Sequence, residues 1–151
     1  MQSQSVTQLL SEHHKHCDHL LAASERAALD RNWEEAARLH ADFSRDLESH
    51  IRAEETILFP AFESSMGITD GPTQVMRVEH AQILQLLSAM RDSIGSRNGE
   101  DFGGQAETFV ILMQQHNLKE ENILYPMCDT SLSAKSGELV ERLRHVIQTA
   151  P

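Results

Sequence analysis

Aromatic side chains make up only 5% of this 151-residue sequence, and cysteine occurs only twice, at Cys17 and Cys128. Few aromatics combined with abundant Leu, Ala, Glu and Gln favour helices over strands, so the composition predicts an all-α protein. The two cysteines lie far apart in the sequence and form no paired thiol motif. We therefore expect free thiols, as in reducing compartments, and neither a disulfide scaffold nor thiol redox chemistry.

The sequence also has little positive charge and no long apolar run. The net charge is -10, which argues against nucleic acid or an anionic membrane as a partner, because both require basic patches. No apolar stretch approaches 18 residues, and the first seven residues are polar, so we expect neither a signal peptide nor a membrane span and predict a cytoplasmic protein. Its length suits a single domain over residues 1–151. The sequence identifies no protein partner.

Two similar segments stand out against this composition: HIRAEETILFP from His50 and HNLKEENILYP from His116. Each begins with a histidine and places a glutamate four residues later, at Glu54 and Glu120. On a helix these two side chains lie about 40° apart around the axis and roughly 6 Å apart along it, so they can bind one ion. With nine histidines, however, about one such pair is expected by accident in helical sequence, so the pairs alone do not establish a site.

The register between the two segments strengthens the case. The offset from His50 to His116 is 66 residues, and the same offset without a gap aligns His14 with His80. Further identities at this offset are Leu20 with Leu86, Leu21 with Leu87, Asn32 with Asn98, Phe43 with Phe109, Ile57 with Ile123, Leu58 with Leu124 and Pro60 with Pro126. The chain therefore contains an internal duplication of a helical hairpin.

Apolar residues at three- and four-residue steps predict the helices of both hairpins. We expect the hairpins at about 5–64 and 72–130, with a loop from Ser64 to Gly71 and a capping box formed by Asn32 and Glu35. Pro60 should kink or end its helix within about a turn, as should its equivalent in the second hairpin. The predicted fold is an up-down-up-down four-helix bundle, with a short C-terminal helix at about 136–148 that packs on the bundle and carries no chemistry.

Bundles of this kind build metal sites from side chains that point inward. The repeat and the helical periodicity select four histidines and two glutamates as metal ligands: His14, His50, Glu54, His80, His116 and Glu120. Imidazole with carboxylate suits iron, manganese or zinc, and two bridging carboxylates suit two ions. Burying these groups together without a cation would be very costly. If the ions are two six-coordinate irons joined by an oxo or hydroxo bridge, roughly 2 of about 12 coordination positions stay open for dioxygen, nitric oxide, peroxide or water.

Several neighbouring residues stay open at this point. Glu55 and Glu121 lie about 100° around the helix from the predicted ligands, so each either faces solvent or orients a histidine through its second ring nitrogen. Asp18 is either a further ligand or a polar rim residue, and Cys17 is expected in the core. The remaining interpretations are simpler: His13, His16 and His19 as rim histidines, Met76, Met90 and Met113 as core filling, and Phe59 with Tyr125 as closing one end of the bundle.

The two motif segments resemble the signatures of the hemerythrin-like family, also called the HHE cation-binding domain. The segment EHAQILQLL resembles that family's third-helix segment and HHKHCDHLL, less specifically, its first, so the resemblance covers about residues 9–128. It implies a non-haem di-iron centre in which Glu54 and Glu120 bridge two irons and the four histidines are terminal ligands. The family members that carry oxygen have a fifth histidine one turn beyond the third-helix ligand, and the residue at that position in this sequence is Leu84.

The resemblance implies a function as well as a fold. The expected function is a di-iron protein that binds dioxygen or a related small ligand, nitric oxide or peroxide, for sensing, storage or delivery. The missing fifth histidine makes the site more open, as in family members that respond to nitric oxide or supply iron for cluster repair. The alternatives are therefore a di-iron peroxidase, oxidase or nitric oxide reductase, and an iron donor for iron-sulfur cluster repair.

Overall fold

The computed structural model describes residues 4–148, and every regular element in that range is a helix. The elements of the first hairpin are α1 (Val6–Leu29), α2 (Trp33–Ala53), a π-helical turn (Glu54–Leu58) and α3 (Phe59–Met66). A capping box between Ser5 and Gln8 begins α1. Asn32 caps α2 by accepting the Glu35 N–H, but the predicted box is only half formed, because the Glu35 carboxylate pairs with Arg38 instead.

The second hairpin repeats this order. Its elements are α4 (Pro72–Gly95), α5 (Gly99–Lys119), a π-helical turn (Glu120–Leu124) and α6 (Tyr125–Ser131). Asn98 caps α5 by accepting the backbone N–H of Asp101, as Asn32 does at the start of α2. The predicted all-helical class is therefore confirmed, and the two halves share their element order. Among residues 4–148, no helix combines the length and hydropathy that crossing a membrane requires.

The two prolines do not end their helices, which corrects one of the two outcomes, a kink or an end, that the sequence leaves open. The Phe59 N–H donates to the Glu54 carbonyl and the Tyr125 N–H to the Glu120 carbonyl, five residues back, so a π turn precedes each proline. Each proline then lies in the first turn of the next helix, where a backbone N–H is not needed. The chain therefore stays helical to Met66, and the loop predicted from residue 64 begins only at Gly67, where φ is 70°.

The last helix, α7 (Ser136–Gln148), lies where the sequence predicts it, after a 3-10 turn at Ser133–Lys135. It buries Leu139, Val140 and Leu143. These side chains pack against α1, α2 and the first π turn. The helix therefore covers the end of the bundle at which the π turns lie.

The four long helices contact one another in the order α1, α2, α4 and α5, and α5 returns to α1. Two apolar clusters fill the space between them. The first contains Phe43 and Phe109, whose rings meet edge to face at 5.7 Å, together with Cys17, Met90 and Met113. The second contains Leu58, Phe59, Met76, Leu124, Tyr125 and Cys128, with the apolar face of α7. The core roles predicted for the methionines and for Cys17 are confirmed, and a layer of polar side chains lies between the two clusters.

Candidate metal centre

This polar layer brings together all six residues that the sequence selects as ligands. Each long helix supplies one histidine, and each π turn begins with one glutamate. The six side chains are between 0 and 3% exposed: His14, His50, Glu54, His80, His116 and Glu120. The i to i+4 spacing and the helical register aim them at one interior region.

Two groups of donor atoms form within the layer, and in each group the atoms lie within 4.8 Å of one another. The first donor group consists of Glu54, His80, His116 and Glu120, and the second consists of His14, His50 and Glu120. Glu120 belongs to both groups. The arrangement therefore offers two adjacent positions for cations that share a carboxylate.

Each glutamate divides its two oxygens between the groups. Glu54 Oε1 lies 3.1 Å from His80 Nε2, while its Oε2 lies 3.7 Å from His50 Nε2. Glu120 Oε2 lies 3.2 Å from His116 Nε2, while its Oε1 lies 3.1 Å from His14 Nε2. Both carboxylates thus span the two groups, as a bridging ligand must.

Tyr125 inserts its hydroxyl into the second donor group. The oxygen lies 2.6 Å from Glu54 Oε2 and 2.9 Å from Glu120 Oε1, so its single proton serves two carboxylates. It also lies 3.2 Å from the Nε2 atoms of His14 and His50. The sequence predicts only that Tyr125 closes an end of the bundle. Its equivalent in the first repeat is Phe59, which has no hydroxyl and stacks on His80 with ring centroids 5.7 Å apart.

The second ring nitrogens of two histidines contact the glutamates that the sequence leaves open. Glu55 Oε2 lies 2.7 Å from His80 Nδ1, and Glu121 Oε2 lies 2.6 Å from His14 Nδ1. These two contacts are equivalent at the 66-residue offset. Such contacts fix the ring orientation and increase the basicity of the opposite nitrogen, so Glu55 and Glu121 orient histidines and do not belong to the donor groups.

The other two histidines have supports that sequence reasoning missed. His116 Nδ1 lies 2.8 Å from Glu79 Oε1, and Lys119 holds the other Glu79 oxygen at 2.5 Å. His50 Nδ1 lies 2.8 Å from His13 Nδ1, with the two rings stacked at 5.0 Å. His13 and Glu79 are separated by the same 66 residues. The offset could have identified His13 and Glu79 as equivalent positions next to the predicted ligands, even though the residue type differs between the copies.

Charges within the layer shift several pKa values. Burial alone would lower the pKa of His14 and His80, but the carboxylates around them raise these values to about 9 and about 11. Burial alone would raise the pKa of Glu120, but its contacts with Glu54 and the histidines hold that pKa well below the usual value. Burial, followed by the charge of His50, lowers the pKa of His13 to about 3. His13 is therefore a neutral neighbour.

The remaining sequence candidates lie outside the donor groups. Asp18 is exposed, which favours the rim interpretation. His16 and His19 are exposed, as predicted, and His16 pairs with Asp46 at 2.7 Å. His13 differs from both, because it is only partly exposed and contacts a predicted ligand.

Three donor atoms of the first group point to a cation. Glu54 Oε1, Glu120 Oε2 and His80 Nε2 are buried and lack a hydrogen-bond partner of good geometry. Buried carboxylate oxygens left in this way are costly unless a cation or proton compensates them. The enclosed space that the six side chains border has a volume of about 10 Å³, room for about one water-sized group. The residue types and their burial therefore fit a metal site.

Comparison with known proteins adds one finding. The family model Hemerythrin HHE cation binding domain matches residues 5–128, which include all six of the predicted ligands and both π turns. No curated protein and no solved structure matches the chain.

Proposed function

This chain belongs to the hemerythrin HHE cation-binding domain family, and from that premise we propose that it is a non-haem di-iron protein that binds a small ligand. The ligand is dioxygen or a relative of it, nitric oxide or peroxide, and the role is sensing, storage or delivery. The observation that carries the proposal is the set of buried donor atoms in the first donor group that lack hydrogen-bond partners. Such atoms suit a cation better than a purely structural polar layer.

In this proposal the six convergent side chains hold the two ions. Glu54 and Glu120 would bridge them, because each directs one oxygen toward each donor group. The four histidines would bind through Nε2, while their Nδ1 atoms are engaged by neighbouring side chains. Iron bound there would supply redox-active coordination positions for a diatomic ligand.

The size of the enclosed space supports a small ligand. About 10 Å³ is far too little for an organic substrate. Apolar side chains from both clusters border the layer, among them Leu47, Ile83 and Met113 on one side. These neighbours keep bulk water from the donors and strengthen the electrostatic interactions among them.

The proposal also includes the topology and the setting. We place the whole of residues 1–151 in one domain with an up-down-up-down bundle, which the contacts between consecutive long helices support. We propose a cytoplasmic location, with which the buried free thiols Cys17 and Cys128 agree, since reduced cysteines are usual there.

The test is metal analysis of protein produced with iron and kept anaerobic. We expect two irons per chain and near-ultraviolet absorption that changes when azide, dioxygen or nitric oxide is added. His19→Ala serves as the control, because His19 is exposed and lies outside both donor groups, and it should keep both ions. Substantially less than two metal ions per chain, or spectra that no small ligand alters, would refute the proposal.

An enzyme is the second candidate, and the Tyr125 hydroxyl is the observation that favours it. This hydroxyl holds a proton within 3.2 Å of four of the predicted ligands, where it could donate to a bound peroxide or nitric oxide. Steady turnover of either compound that disappears in Glu54→Ala would establish a peroxidase, oxidase or nitric oxide reductase. Stoichiometric binding without turnover would favour the first proposal, and ready transfer of iron to an acceptor would favour the role in cluster repair.

A further inference from the structure

The two repeats supply equivalent ligands to the metal centre but surround them with different residues. At the 66-residue offset His14 matches His80, His50 matches His116 and Glu54 matches Glu120. The neighbours at two other matched positions differ: Phe59 corresponds to Tyr125, and His13 corresponds to Glu79. Both differences affect how strongly each donor group can hold a cation.

The first difference concerns the carboxylate oxygens. The two oxygens that face the first donor group, Glu54 Oε1 and Glu120 Oε2, have no hydrogen-bond partner of good geometry. The two that face the second donor group, Glu54 Oε2 and Glu120 Oε1, both contact the Tyr125 hydroxyl. A cation in the second group therefore has to compete with this hydroxyl for both oxygens, whereas a cation in the first group does not.

The second difference concerns the histidines. In the first donor group both Nδ1 atoms contact a carboxylate, from Glu55 and from Glu79. In the second donor group His14 has Glu121, but His50 has the ring of His13. A carboxylate that accepts from the second ring nitrogen makes its histidine a stronger ligand, even where it also pairs with a cation as Glu79 does with Lys119, whereas an imidazole partner gives less support. The second group thus has weaker support at one of its two histidines.

We propose that the two metal positions are unequal: the first donor group fills first and holds its ion tightly, while the second holds an exchangeable ion. This inference rests on the proposed function, since it concerns the same centre. An ion can leave the second position while the ion at the first position stays bound. When the second ion is gone, the Tyr125 hydroxyl donates its hydrogen bond to the two carboxylate oxygens that held it. The protein therefore alternates between a one-metal and a two-metal form.

The first experiment titrates metal-free full-length protein with Co²⁺ alone and follows both absorption and bound metal. We expect two steps whose dissociation constants differ by at least about tenfold, the size of effect that such supporting contacts produce. His50→Ala should remove the weaker step and leave the tight one, whereas its repeat equivalent, His116→Ala, should remove the tight step. Loss of the tight step in His50→Ala would overturn the assignment of the positions.

The second experiment exchanges residues between the repeats. Tyr125→Phe puts the residue of the first repeat at this position and should tighten the weaker step about 10- to 100-fold, as should His13→Glu, which copies Glu79. As the control, Leu20→Met changes a partly buried residue that packs against the first apolar cluster, outside both donor groups, and should leave both steps unchanged. Two variants keep the test decisive: His13 is partly exposed, so His13→Glu should fold even if the substitution at the fully buried Tyr125 disturbs the core.

The outcomes separate the two proposals. If no metal binds, the proposed function fails and the inequality fails with it. If two ions bind with equal affinity, or if neither exchange variant alters the ratio of the two dissociation constants, the inequality alone is wrong and the dinuclear centre stands. Unequal steps that converge in both variants support the inference.

Discussion

The half of the donor layer built from α4 and α5 has acidic and aromatic neighbours, whereas the half built from α1 and α2 has a histidine and a hydroxyl. Glu79 and Phe59 lie beside the first half, and His13 and Tyr125 lie beside the second. The ligand residues are the same in both. The comparison teaches that a duplicated scaffold can keep its predicted ligands matched while the residues behind them diverge.

The strongest way to break the comparison is to remove the donor that both halves use. Both glutamates span the two groups, but Glu120 lies close to the donors of both, whereas Glu54 lies close only to those of the first and is 3.7 Å from His50 in the second. Glu120→Gln should therefore lose most of its metal at both positions, while Glu54→Gln should lose less from the second position than from the first. Metal content per chain after desalting measures the difference, and the far-ultraviolet dichroism of each variant checks that the helices remain. Equal losses at both positions in the two variants would show that Glu54 and Glu120 serve the two positions equally, which contradicts this prediction.

The second prediction concerns the unlike supports. Glu79→Gln should weaken metal binding about 10- to 100-fold, because His116 loses a carboxylate at its second nitrogen. His13→Gln should change binding much less, since a neutral ring is replaced by a neutral amide. Competition with a chromophoric chelator gives both dissociation constants. A larger effect at His13 than at Glu79 would reverse our view of which half is better supported.

In the metal-free protein, the histidines of the two halves should contribute to folding stability over different pH ranges. The folded-state pKa values of His14 and His80, about 9 and about 11, both lie above the ordinary value of 6.5. Their stabilising contribution is therefore fully present below pH 6.5 and is lost as the pH rises through about 9 for His14 and about 11 for His80. Thermal unfolding of the metal-free protein from pH 7 to 10 should show falling stability, and imidazole ¹⁵N shifts should show that His14 titrates first. Titration of His80 before His14 would contradict this order.

The smallest difference is expected where the supports match. Glu55 and Glu121 contact their histidines at 2.7 and 2.6 Å, so Glu55→Gln and Glu121→Gln should weaken binding by similar factors, each at its own step. The same Co²⁺ titration resolves the two steps. Strongly different factors would mean that the asymmetry extends beyond His13 and Tyr125.

Much of the fold and the predicted ligand set could be read from the sequence, because both depend on periodicity and on repetition. Apolar spacing located the long helices and α7, and the 66-residue offset chose His14 over its three neighbouring histidines. The structure brings the six selected side chains together, while their binding of metal stays a prediction. Repetition thus identifies whatever both copies share.

The missed features are those that repetition hides or that depend on packing. Glu79 and His13 occupy equivalent positions and contact equivalent histidines, but they differ in residue type, so a search for identities at the offset passes over them. The sequence does not show which way the ring of Tyr125 points, and only the packed helices direct its hydroxyl at the carboxylates. The prediction that a loop begins at residue 64 was wrong, because a wider helical turn before Pro60 lets the helix continue, and a local proline rule does not anticipate such a turn.

That wider turn also sets the spacing between each glutamate and the aromatic residue that follows it. A π turn precedes a proline in both copies, at Glu54–Leu58 and at Glu120–Leu124. In each copy one backbone hydrogen bond, spanning five residues, connects the glutamate to an aromatic residue, Glu54 to Phe59 and Glu120 to Tyr125. The same backbone geometry therefore presents a plain ring in one copy and a phenol in the other, so a single oxygen atom distinguishes the two rings.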